Sequence, residues 1–239
     1  MLTRLLSAER KPKEIGELDF GAVPGRGRLP WLYFLTKRGA DLLASARKDL
    51  DEVPYVMRAT KFNNDYWHRV YTVDFHIALR AFADRQHHRV KNFKTYFEYA
   101  RQNESVTRIP LKSGFIVPDA ISMLDCADGH ERPLVFEMAN GSDAGQIEKQ
   151  IDRYVEALEE EAIEVAVGVK GDDSCRVLFV FEHVRTFENL KKRLADDLRF
   201  QEWSDKFFCK PREWLETEPF RASWLRLAKD GAPTFLSGD

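Results

Sequence analysis

A mixed α/β sandwich is the fold class that the sequence predicts, on three observations. Ala144 to Glu160 carries Ile147, Ile151, Tyr154, Val155 and Leu158 at helical spacing on one face. Val177 to Phe181 reads VLFVF, an unbroken apolar run of strand length, so a strand covered on both faces and central in its sheet. Two strand-like runs, Ser113 to Leu124 and Pro133 to Met138, flank Asp128-Gly129, a turn signal that predicts a hairpin. With a helix before the hairpin, the order is helix, strand, strand, helix, strand, and helices alternating with strands layer onto a sheet.

The chain has 239 residues, 44% hydrophobic and 32% charged, enough for one generous domain or one domain with a small appendage. That composition excludes collagen-like, disordered and disulfide-framework classes. No apolar run approaches the roughly 18–20 residues that span a bilayer, so no membrane partner is expected. The first residues, MLTRLLSAERKPKEIG, lack the apolar stretch and cleavage site of a signal peptide. Cys126, Cys175 and Cys209 form neither a CxxC pair nor an even framework, and a reducing cytoplasm is the expected compartment. Net charge is −2, but residues 1–112 hold 21 Lys+Arg against 13 Asp+Glu, while residues 113–239 hold 16 against 26. A basic front half points to nucleic acid, unless the two charges are simply two solvated faces.

Taken in order, the first segment ends in GAVPGRGRLP, Gly21 to Pro30, a basic glycine-rich loop. Thr36 can cap a helix from about Lys37 to Leu50. A basic loop between strand-like pieces, then a capped helix, is the pattern of the back half of a winged-helix module. Arg26, Arg28, Lys37 and Arg38 are then the candidate phosphate contacts. Pro54 and its neighbours mark a boundary, so residues 1–53 form a winged-helix-like segment and 54–239 the main domain. From Tyr66 to about Arg101 two helical stretches are predicted, split near Gln86 to Asn92. The first places Val70, Asp74, Ile77, Ala78 and Ala81 on one face. Asp74 on an apolar stripe costs free energy unless it meets a cation, a metal, donors or water at the stripe's edge. After the hairpin and the 144–160 helix, Glu164 to Val169 and Arg176 to Phe181 read as strands and Thr186 to Phe200 as a helix. The tail, with Trp203, Trp214 and Trp224, is expected to pack back over the core. Glu159-Glu160-Glu161 reads as a solvated helix end, and His87-His88 as basic surface.

The hairpin brings chemistry together. If its strands pair symmetrically about residue 128, Asp119 falls opposite Glu137, on one side of the sheet, with Cβ atoms roughly 4.5–5.5 Å apart. Two carboxylates that close repel, and a divalent metal held by oxygen ligands relieves the repulsion. On the following helix Gln150 and Tyr154 are four apart and share a face toward the sheet, whereas Lys149 lies nearly opposite the apolar stripe. Tyr154 is either a nucleophile or a core aromatic; Lys149 is either a phosphate-stabilising cation or a solvated surface lysine. No P-loop, GxSxG or GxGxxG motif is present.

Pro118-Asp119, then Glu137, then Gln150-x3-Tyr154 resembles the QxxxY branch of the PD-(D/E)xK nuclease superfamily, and the αββαβ order resembles its restriction-endonuclease-like core. Tyr33-x-Leu35-Thr36-x-x-Gly39, His68-x5-Asp74, Val117-Pro118-Asp119-Ala120, Phe136-Glu137 with Gly141-Ser142, Gln150-x3-Tyr154, Val177 to Val180 and a late Trp224 together resemble the MobC-type plasmid relaxases of the replication-relaxation family. The resemblance implies a metal-dependent enzyme that nicks one DNA strand at a plasmid transfer origin, alongside accessory relaxosome and coupling proteins. Asp119 and Glu137 would hold Mg²⁺ or Mn²⁺, Asp74 would add a ligand or orienting group, and His68 would contact phosphate or cap its helix. The third signature position departs from the pattern: Glu137-Met138-Ala139 stands where ExK is expected. The alternative is a plasmid DNA-binding or replication-control protein that keeps the fold without cleavage.

Overall fold

The computed structural model describes residues 15–18, 22–23, 27–28, 32–46, 53, 65–98, 104–139, 143–169, 175–217 and 224–227. The chain divides into two compact units, Met1–Tyr66 with Phe97–Val106, and Trp67–Tyr96 with Thr107–Asp239.

The first unit holds two nested antiparallel pairs. β1 (Ile15–Leu18) pairs with β4 (Leu32–Leu35), and inside them β2 (Ala22–Val23) pairs with β3 (Gly27–Arg28). Arg28 thus sits on a strand, opposite Ala22, while Arg26 lies outside the described residues. α1 (Lys37–Ala46) follows at once. The Thr36 hydroxyl accepts the amide N–H of Gly39 at 3.2 Å, satisfying one of the donors that a helix start leaves without a partner. The cap is where the sequence predicts it. The predicted extension toward Leu50 falls on residues outside the described set.

The second unit is built on a six-stranded mixed sheet in the order β12-β11-β10-β9-β8-β5. Its strands are β5 (Arg89–Thr95), β8 (Ala120–Asp125), β9 (Glu131–Ala139), β10 (Arg176–Phe181), β11 (Phe207–Pro211) and β12 (Leu225–Arg226). β9, β10 and β11 run parallel; β5, β8 and β12 join antiparallel. β10 is central and its residues after Arg176 are fully buried, as its apolar run predicts. One face carries α3 (Ala144–Glu159), α4 (Ala162–Val167), α5 (Val184–Leu194) and α6 (Leu198–Trp203), packed on Val135, Val177, Phe179, Phe207 and Cys209. The other face carries α2 (Asp65–Arg85) and Trp224, packed on Phe136, Met138, Leu178, Val180 and Phe208. Phe75 of α2 stacks on Phe136 with ring centroids 3.9 Å apart. β6 (Ile109–Leu111) and β7 (Gly114–Ile116) form a separate two-stranded hairpin that leads into β8. A short α7 (Arg212–Thr217) follows β11. Among the described residues no helix is long and apolar enough to cross a membrane.

Several elements differ from expectation. The second helical stretch before Arg101 is instead the edge strand β5. A bulge between Lys91 and Lys94, with Asn92 at φ 52°, shifts the strand's inward phase, so that Val90 and Phe93 both pack on the α2 side. That spacing of three imitates a helix. The predicted strand Glu164 to Val169 is α4, one and a half turns ended by Gly168 at φ 83°. The run Ser113 to Leu124 is two strands, β7 and β8, and Thr186 to Phe200 is two helices, with Asp197 capping the second through the Phe200 amide at 3.0 Å. The stripe of α2 is Tyr71, Phe75, Leu79 and Phe82, so Ile77 is 62% exposed and Asp74 stands on the exposed side. Aromatic rings bury more apolar area than alanines at competing positions, and they decide which way the helix rolls. Glu159 and Glu160 are not a plain solvated end. Glu159 accepts two hydrogen bonds from Arg199, and Glu160 accepts the Lys112 amide N–H.

Candidate functional site

The β8–β9 hairpin positions the two carboxylates. Gly129 takes φ 87° at its turn, and the Gly129 amide bonds to the Cys126 carbonyl at 2.9 Å. From there the ladder runs Asp125↔Glu131 back to Ala120↔Phe136, which is the register centred on residue 128. Asp119 is the next position out and meets Glu137, close to the carboxyl ends of the parallel strands β9 and β10 where open α/β sheets place their ligands. Both are buried, at 5% and 4% exposure. Asp119 is held by three elements. Its Oδ2 accepts the Met138 amide N–H at 2.7 Å, and its Oδ1 lies 2.6 Å from His68 Nε2 on α2. The Tyr96 amide donates to its backbone carbonyl at 3.0 Å. A His68 tautomer with its hydrogen on Nε2 is the one that can donate to a carboxylate oxygen in this contact. Just upstream, the Thr107 hydroxyl donates to the Pro118 carbonyl at 2.7 Å and pins the approach to Asp119.

Glu137 points to the α3 side, where Tyr154 donates a short hydrogen bond to its Oε1. Burial, then the charge of Asp119, pushes the Glu137 carboxyl well above the usual carboxylate range; hydrogen bonds from Tyr154 and Gln150 pull the other way. Burial, then the charge of Glu137, pushes the Tyr154 hydroxyl well above its ordinary value. Tyr154 is fully buried, with its ring edge on Phe179 at 5.9 Å. It is therefore a neutral donor that clamps Glu137 and a core aromatic, rather than an accessible oxyanion.

Five of the predicted residues thus converge: His68, Asp119, Glu137, Gln150 and Tyr154. The others lie elsewhere. Asp74 is on the exposed side of α2. Lys149 is exposed and lines a surface cleft of about 710 Å³ with Asp143, Gln146, Asp152 and Arg193. Lys37 and Arg38 are exposed on α1 of the first unit. Sequence reading missed the Met138 amide, Tyr96 and Thr107. These act through backbone groups or across the chain, and only the register of the hairpin signals the first of them.

Two carboxylates beside an imidazole are a donor set that suits Mg²⁺ or Mn²⁺ through its oxygens. The mutual repulsion of the buried pair is what a cation would relieve. Among the described residues, no group of three or more His, Cys, Asp or Glu side chains is gathered into a metal-holding cluster. No protein-family model matches the chain, and no curated protein and no solved structure matches it either.

Proposed function

We propose that this chain is a metal-dependent DNA strand-nicking enzyme of the plasmid-mobilisation relaxase kind, with its site at Asp119 and Glu137. One observation carries the reading: two buried carboxyl groups held in register by the hairpin, with His68 and Tyr154 each spending a hydrogen bond to orient them. Such a pair costs stability, and a site for a cation is the use that accounts for it. The order α2, β5, β8, β9, α3, β10 also supports a restriction-endonuclease-like core. The nested hairpins followed by the capped α1 support a winged-helix-like appendage whose Arg26, Arg28, Lys37 and Arg38 would meet DNA phosphates.

Asp119 and Glu137 would hold Mg²⁺ or Mn²⁺, which when bound supplies positive charge at the scissile phosphate. His68 fixes the Asp119 carboxylate by its Nε2–H. Tyr154 and Gln150 hold Glu137 ionisable yet immobile. The transfer origin of the chain's own plasmid would be the substrate, and accessory relaxosome and coupling proteins the partners. A non-catalytic plasmid DNA-binding protein is the second reading. Ala139 at the third signature position and the exposed Lys149 favour it, because neither supplies a cation beside the carboxylates.

The test is conversion of a supercoiled plasmid carrying the transfer origin to open circles, with Mn²⁺ or with EDTA, by the parent and by Glu137→Ala. Metal-dependent product that the variant loses is the expected result. In parallel, Mn²⁺ should raise the Tm of the parent and not of the variant through linkage. DNA binding with neither nicking nor a Mn²⁺ shift would establish the non-catalytic reading instead.

A further inference from the structure

The β6–β7 hairpin leads directly into Asp119, and it is built to present rather than to hide an aromatic ring. Its inner face, Ile109, Leu111 and Ile116, is buried in the α3-side core. Its outer face carries the cross-strand pair Pro110↔Phe115, and Val117 continues that face toward Asp119. Phe115 is 44% exposed, with the Arg108 guanidinium 4.3 Å from its ring centroid. The hairpin is tied to α3 along its length. Glu156 accepts from the Ser113 amide at 3.2 Å and from its hydroxyl at 2.7 Å. Glu160 accepts the Lys112 amide N–H at 3.1 Å, and Arg153 donates to the Phe115 carbonyl at 3.0 Å. Gly114, at φ 148°, has the Arg153 guanidinium 3.4 Å from where a Cβ would stand. Arg108 thus stands on the ring, and Arg153 holds the backbone carbonyl of the same residue, so two guanidinium groups lie at this end of the hairpin.

We propose that Phe115 and Arg108 form a stacking platform for a base of single-stranded nucleic acid whose backbone runs on to Asp119. The inference rests on the reading of Asp119 and Glu137 as a nuclease site and names the form of its substrate. An exposed ring with a guanidinium on it, on an arm tied down by hydrogen bonds to the neighbouring helix, is the pairing that holds single strands: a π-face for the base and positive charge for the phosphates. A planar guanidinium stacks on bases as an aromatic does, so either surface of the Arg108–Phe115 stack serves. Asp119 is four positions after Phe115, so their Cα atoms are at most about 14 Å apart. That is room for at most about four nucleotides at a duplex-like rise of roughly 3.4 Å, and for fewer in an extended single strand. Duplex DNA keeps its bases stacked on one another, so the platform selects a strand already opened.

The test is anisotropy of a short fluorescein-labelled oligodeoxythymidylate in EDTA, against the parent, Phe115→Ala and Phe115→Trp, with a duplex of equal length as competitor. Phe115→Ala should weaken single-strand binding by roughly 5- to 100-fold in a protein that still unfolds cooperatively, since the ring is partly exposed at 44%. Phe115→Trp should bind at least as well as the parent, and its added indole fluorescence should be quenched by the oligonucleotide. Equal binding by parent and Phe115→Ala, no binding by the parent, or a preference for the duplex would each overturn the platform. The assay needs no cleavage. Binding lost in Phe115→Ala by a protein that does not nick would sink the nuclease reading alone, and nicking with Phe115→Ala binding unchanged would sink the platform alone.

Discussion

Glu137 is the residue whose environment says most. Its folded carboxyl titrates well above the usual range, because burial and the Asp119 charge both disfavour ionisation. The sign of the consequence follows. Stability from the protonated form is full below the unfolded value near 4.3 and is lost as pH rises through the raised folded value. Glu137→Gln cannot ionise and still accepts from Tyr154. It should therefore be more stable than the parent at pH 8, seen as a higher Tm. The gap should close toward pH 4, and Tm measured across that range checks it; a gap that widens on acidification would contradict the assignment. At this scale the sequence was readable where geometry is local. The turn at Asp128-Gly129 sets the register, and the register sets Asp119 against Glu137. Asp74 was not readable, because two interleaved stripes on α2 compete and the larger rings win.

Among the elements, α3 does most for the site. Its five predicted core residues are all buried, and the same face brings Gln150 and Tyr154 to Glu137. Its start is fixed by Asp143, whose carboxylate accepts from the amides of Gly145 at 2.9 Å and Gln146 at 3.3 Å. Asp143→Ala should cost about 1 kcal/mol and lower the Tm by roughly 2–4 °C, with Asp143→Asn restoring most of it. A loss confined to low salt would show a charge effect and not a cap. Long amphipathic helices and wholly apolar strands are legible, since one period runs through many residues. β5 and α4 were misread for physical reasons. The bulge at Asn92 breaks β5's alternation, and α4 is too short for its Glu-Val-Ala-Val sequence to declare a period of 3.6 over one of 2.

At the scale of the whole molecule, the second unit is built on a six-stranded sheet with a core on each side. That layering was legible as a mixed α/β sandwich, and Trp224 is buried as the returning tail predicted. The strand order was not, because β11 and β12 are short and their pairing joins residues far apart in the chain. Three thiols are distributed across this architecture. Cys126 lies in the α2-side core, and Cys175 and Cys209 lie in the α3-side core; all three are buried thiols outside any disulfide. Burial pushes the thiols of Cys126 and Cys209 up, so little thiolate forms. The molecule thus carries a chemical clock on each face of its sheet. A maleimide should leave all three unlabelled in the native state and modify them as denaturant opens the fold. Chains retaining only Cys126, or only Cys175 and Cys209, should be modified at the same denaturant midpoint, because both cores hang on the same six strands. Different midpoints would reveal that one layer of helices can peel away while the other stays closed.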